Sequence, residues 1–160
     1  PEGKLRIKDL RRERFFNDEL LTFFNRLYTL DITIEEIEEK FGTRVRELVA
    51  SETEDKLADL PPTDTWRIRK QQSLEFLKNT NDVDVLMVWL GDKLSNMRSI
   101  YRDWKVEGDA VWQKFNQKNA AEHAWYYRSI AALTERLSHT SAWIEYKTLT
   151  ELVFEKESQS

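Results

Sequence analysis

Cysteine is absent from this 160-residue chain, so neither disulfides nor thiolate metal sites are open to it. That is compatible with a reducing compartment. Glycine (4 residues) and proline (3) are scarce, and so few breakers favour long helices over strands and tight turns. No apolar run approaches the roughly 18–20 residues needed to span a bilayer, and no secretory signal is visible. No membrane association is expected, and the expected setting is the cytoplasm. Positive charge is not in excess either. With 25 basic and 29 acidic residues the net charge is −4, which gives no reason to expect a partner built on a phosphate backbone, so no nucleic acid is expected. The chain also lacks a Walker A loop, a Gly-rich dinucleotide fingerprint and a nucleophile elbow. Its two histidines, His123 and His139, fall on separate predicted helices, without a second histidine at ligand spacing. Each reads as a surface or core-edge residue.

What the chain does contain is globular. Charged residues make up 34% and apolar ones 40%, a balance that supports a folded core rather than disorder. The length suits one domain able to bury that core. The 6 Trp, 5 Tyr and 8 Phe are many for this size, enough to build a core and to line a cleft as well.

In chain order the pattern predicts helices throughout. Lys4 to Tyr28 reads as one or two, with a break near Asn17-Asp18 and a basic cluster (Lys8, Arg11, Arg12, Arg14) on a solvated face. Thr33-Ile34-Glu35-Glu36 is a capping box, opening a helix that turns Ile34, Ile37 and Phe41 inward and stops at Gly42. Thr43 opens the next, with Val45, Leu48 and Val49 as its apolar side, ending near Ser51. Glu52 to Leu60 reads as a loop before Pro61-Pro62. Asp64 or Thr65 caps a helix from Trp66 to Lys78, with Ile68, Leu74 and Leu77 facing in. Val83 to Tyr101 is the most apolar and the expected central helix, broken at Val106-Glu107-Gly108-Asp109. Asp109 then caps a short helix carrying Val111, Trp112 and Phe115. After the polar connector Asn116–Asn119, a long helix spans Ala120 to Leu137. Thr140 or Ser141 caps the last, with Trp143, Tyr146, Leu149, Leu152 and Val153, before a frayed tail from Glu155. The expected fold is an all-α bundle of roughly seven or eight helices in a single domain.

The candidate site lies in the central helix, in Gly91-Asp92-Lys93-Leu94-Ser95-Asn96-Met97-Arg98. Asp92, Ser95 and Asn96 fall at i, i+3 and i+4 and share one face, beside the apolar face of Leu90, Leu94 and Met97. A polar cluster at the edge of a buried stripe must be paired, because an unpaired one costs free energy. A solvated face with one ion pair satisfies the same spacing. Trp125-Tyr126-Tyr127 sets large aromatics on one turn, for packing or for stacking a base. The carboxylate pairs Glu35-Glu36 and Glu38-Glu39 are explained by solvation of an amphipathic helix.

From Asp31 onward the chain resembles the HD-domain phosphohydrolases of the RelA/SpoT type, which remove pyrophosphate from guanosine alarmones. The residues that carry the resemblance run from Asp31 to Gly42, then Val45 and Leu48-Val49, then Ser51 to Lys56, Arg69-Lys70 and Leu77. Gly91 to Arg98, Trp112 to Asn116 and Trp125-Tyr126-Tyr127 complete them. The Asp-Lys-Leu-Ser-Asn-Met-Arg string is the most specific part, and order and spacing resemble the small bacterial members without a synthetase domain. The resemblance implies an HD-like helical bundle and one divalent metal, usually manganese, held by a histidine, a His-Asp pair and a distant aspartate. It implies that Asp92 is that aspartate and that Asn96 lies beside the nucleotide. Lys93 and Arg98 would then serve the phosphates or structural ion pairs.

The other ligands depart from the pattern. Counting back without gaps from Asp31 sets the family's His-Asp pair on Phe24-Asn25 and its Glu-Asp pair on Tyr28-Thr29; the first histidine falls before Pro1. Residues 1–30 therefore read as a divergent or incomplete part. Either the fold persists without its metal, or the chain, which starts at Pro1 without methionine, lacks a native segment, or another register supplies the ligands. Two functions follow: a metal-dependent phosphohydrolase acting on a guanosine-polyphosphate-like nucleotide, or an inactive HD-fold module that binds a nucleotide or a protein. A purely structural helical domain is a third. Exact substrate and oligomeric state stay open at this level.

Overall fold

A computed structural model describes residues 30, 32–52 and 61–155. The helices expected between Lys4 and Tyr28, the basic cluster there, the Phe24-Asn25 and Tyr28-Thr29 positions and most of the 52–60 loop lie outside the described residues. Within them the fold is all-α: α1 (Ile34–Phe41), α2 (Thr43–Glu52), α3 (Pro62–Asn79), α4 (Val83–Glu107), α5 (Ala120–Leu133) and α6 (Ser141–Phe154), with 3₁₀ segments at Gly108–Lys114 and Glu135–Leu137. Six α-helices replace the seven or eight expected, among the described residues.

The caps explain most boundaries. The Thr33 N–H donates to Glu36 Oε2 at 2.8 Å, and Glu36 N–H returns to Thr33 Oγ1 at 3.2 Å, which closes the capping box of α1. Gly42 ends α1 at φ 84°, a left-handed value that favours glycine. Asp82, Asn119 and Thr140 cap α4, α5 and α6 through their side-chain oxygens. Gly108, at φ 60°, ends α4 and donates its N–H to the Trp104 carbonyl.

Several expectations shift. α3 opens at Pro62, with proline in its first turn, so Asp64 and Thr65 lie inside the helix rather than capping it. Burying Trp66, Ser73 and Leu77 sets its phase; Ile68, two residues from Trp66, falls on the far side and is exposed. Phe41 and Leu152 are exposed rather than inward, Phe41 at the point where the chain leaves α1. α4 runs six residues beyond Tyr101. Asp109 makes no cap; the segment after Gly108 is a 3₁₀ turn whose Val111 and Trp112 enter the core. α5 stops at Leu133 rather than Leu137, and a 3₁₀ turn follows; buried Thr134 donates its hydroxyl to the Ile130 carbonyl at 2.7 Å.

α4 is central, packing against α2, α6 and the 3₁₀ segment, while α5 bridges α3 and α6. One core runs through Trp66, Leu77, Trp89, Leu94, Met97, Trp112, Ile130, Tyr146 and Phe154. A smaller cluster of Ile37, Val49 and Val88 fixes α1 and α2 to α4. At the rim of that contact the Arg44 guanidinium sits on Asp82 at 2.8 Å and Asp84 at 3.1 Å, and it holds the Asp82 carboxyl below the usual range.

Candidate functional site

The middle of α4 carries the polar cluster that the spacing pointed to. Its apolar side is deeply buried: Leu90, Leu94 and Met97 are 2%, 0% and 0% exposed. Asp92 stands at the edge of this face, its side chain 20% exposed. Its Oδ2 accepts from the Lys93 ammonium at 2.7 Å and from the Asn96 amide at 3.2 Å. Adjacent helical residues do not normally face each other. The long lysine stem closes the distance, lying along the core with its Nζ 5.0 Å from the centroid of Trp89. Trp89 is itself fixed, since its indole N–H donates to the Ser51 carbonyl at 3.2 Å and ties α4 to the end of α2. Both donors grip one carboxylate oxygen, so the group is oriented, with Oδ1 taking neither of them. Asn96 is exposed at the mouth of the cluster.

Arg98 goes elsewhere. Its Nε and Nη2 form a fork on the two Glu145 oxygens of α6, at 2.7 and 2.6 Å. Six residues past Asp92 it projects from another side of α4. Of the four residues singled out, Asp92, Lys93 and Asn96 are therefore brought together, and Arg98 is an inter-helix brace.

The described residues do not fit a divalent metal. Among them no three His, Cys, Asp or Glu side chains converge on one point. Asp92 brings a single carboxylate, one oxygen of which already takes an ammonium and an amide. A single oriented carboxylate of this kind holds its two donors in place; it does not supply a coordination sphere alone.

Two other arrangements were not legible in the sequence. His123, 4% exposed, stacks on Trp112 with ring centroids 4.8 Å apart and meets Trp66 and Phe115 at 5.3 and 5.2 Å. Its Nε2 lies 2.9 Å from the Gln117 carbonyl oxygen, which only accepts, so that nitrogen carries the proton. Burial pushes its pKa below 6.5, and the Lys70 charge adds to the effect. The second arrangement is Arg67, whose guanidinium lies 3.3 Å from the Trp125 ring centroid and pairs with Glu122 at 2.7 Å. The i, i+4 spacing of Trp89 and Lys93 was a readable signal; these cross-helix contacts had none.

No family model matches the chain. The chain is similar to the chloroplastic protein RSH1 of Arabidopsis thaliana, provisionally named a GTP diphosphokinase, at 40% identity over 75 residues. That alignment covers 43% of this chain, which spans 8% of the length of the curated relatives it matches. Among solved structures it is similar to lmo0812 of Listeria monocytogenes EGD-e, with a TM-score of 0.71 and 26% identity over 91% of this chain and 94% of that one. No helix of the described residues is long and apolar enough to cross a membrane.

Proposed function

We propose that this chain is the helical, nucleotide-handling module of a RelA/SpoT-type phosphohydrolase, which takes a guanosine-polyphosphate-like nucleotide at the Asp92–Asn96 cluster in the cytoplasm. The observation that carries the reading is the grip of Lys93 and Asn96 on one oxygen of Asp92. It fixes a carboxylate and an exposed amide, side by side, within the string that most closely resembles that family. The partial similarity to a protein named for GTP chemistry supports the same nucleotide class. In this reading Asn96 meets the nucleotide, Asp92 orients Asn96, and the buried Lys93 ammonium neutralises Asp92 and fixes it in place. The family's metal, usually manganese, would supply activation of the attacking water when bound. Asp92 is the one described residue that the resemblance matches to a ligand of that metal.

The deficit of ligands favours a second reading: the fold binds the nucleotide or a protein partner and leaves it intact. Elemental analysis of the purified chain, combined with phosphate release from a guanosine polyphosphate in manganese, separates them. Metal at unit stoichiometry with turnover lost in Asp92→Ala supports the hydrolase and contradicts the binding module. Nucleotide binding without metal or turnover supports the module. Neither binding nor turnover contradicts both.

A further inference from the structure

Between α3 and α5 lies a surface cavity of about 590 Å³, lined by Gln71, Gln72, Leu74, Trp125, Ser129 and Leu133 among others. That volume falls within the range of small-molecule sites. Its composition is also theirs: Leu74 and Leu133 give an apolar floor, Trp125 an aromatic wall, and Gln71, Gln72 and Ser129 a polar rim, with exposed Ala132 and the charged Glu75 and Lys78 at the edge. The wall is rigid for a stated reason. The Arg67 guanidinium lies 3.3 Å from the Trp125 centroid and is itself held by Glu122 at 2.7 Å. An indole clamped in this way loses little freedom when a second flat group meets it.

We propose that this groove is a binding site for a purine nucleoside, distinct from the Asp92 cluster, with which it shares no residue. The chemistry of the lining selects that class. A purine offers a broad π-face to the indole, and its edge alternates donors and acceptors. Each glutamine amide offers both, and the Ser129 hydroxyl donates or accepts as required. Arg67 is held by Glu122, and the exposed Lys78 and Glu75 of the lining carry opposite charges 4.0 Å apart, so the groove offers no net positive charge and recognition centres on the base rather than on phosphates. The groove and the Asp92 cluster are independent: they share no residue, and the ligand of the groove needs no phosphate.

Titration calorimetry with guanosine and adenosine, neither of which carries a phosphate, tests it on the whole chain. Saturable binding is expected, with quenching of indole fluorescence. Ala132→Trp, an exposed change that fills the groove, should abolish binding while leaving the helical circular dichroism intact. Gln72→Ala, also exposed, should weaken it about tenfold, the scale of one lost hydrogen bond. Trp125→Phe should remove the quenching and keep part of the affinity. Absence of saturation in the unaltered chain overturns the proposal. So does undiminished binding in Ala132→Trp, or loss on Asn96→Ala with Ala132→Trp unaffected, which would locate the base at α4.

Discussion

His123 is the residue whose chemistry the packing alters most visibly. Its ring is enclosed by Trp112, Trp66 and Phe115, and Lys70 and Glu122 are the charged groups near it. The folded state disfavours the imidazolium, whereas the unfolded chain takes up a proton near pH 6.5. Its contribution to stability is thus complete above about pH 6.5 and is lost as pH falls below it. Thermal melts between pH 7.5 and 5 should show the midpoint falling with acid, and His123→Phe should flatten that dependence. An unaltered acid slope in the variant would contradict the assignment. Arg98 makes a second case. Its fork on Glu145 is more than a third exposed, so screening limits its worth to about 1 kcal/mol or less. A double-mutant cycle of Arg98→Met and Glu145→Gln should give a coupling of about that size, with nucleotide affinity changed less than about twofold. Loss of affinity by tenfold at unaltered stability would instead return Arg98 to the phosphates.

At the scale of elements, the caps were the most legible feature. Thr33 and Glu36 form the reciprocal bonds that their spacing required, because a capping box is a local arrangement within four residues. Thr33→Ala should cost about 1 kcal/mol in chemical denaturation, and no measurable change would show that α1 does not share in global folding. Gly42→Ala should cost about 1–3 kcal/mol, since an alanine resists φ 84°. The phase of α3 was not legible. Asp64 and Thr65 are good caps, but Pro61-Pro62 starts the helix earlier, and burial of Trp66 then decides which side Ile68 takes. The end of α5 was equally hidden, because no glycine or proline marks it and Thr134 fits a helix locally. Local signals thus set the starts and the glycine stops, whereas competing side-chain burial set the phase of α3.

For the whole molecule, scarce glycine and proline with a helical pattern throughout were enough to anticipate an all-α fold, and the apolar run from Val83 to Tyr101 put α4 at its centre. The similarity to lmo0812 extends over nearly the full length of both chains. The candidate site was legible in part. Asp92 and Asn96 share a face by helical period alone, and they meet as that period requires. The destination of Arg98 depends on how α6 docks on α4, which no local spacing encodes. Whether the Asp92–Asn96 cluster takes a nucleotide is decided by calorimetric titration of the chain with a guanosine polyphosphate, with and without manganese, alongside Asn96→Ala. Asn96 is exposed, so the substitution should leave the fold unaltered. Saturable binding is expected, weakened about tenfold by Asn96→Ala, the scale of one hydrogen bond. Equal affinity in the variant, or no binding by the unaltered chain at millimolar nucleotide, would contradict it.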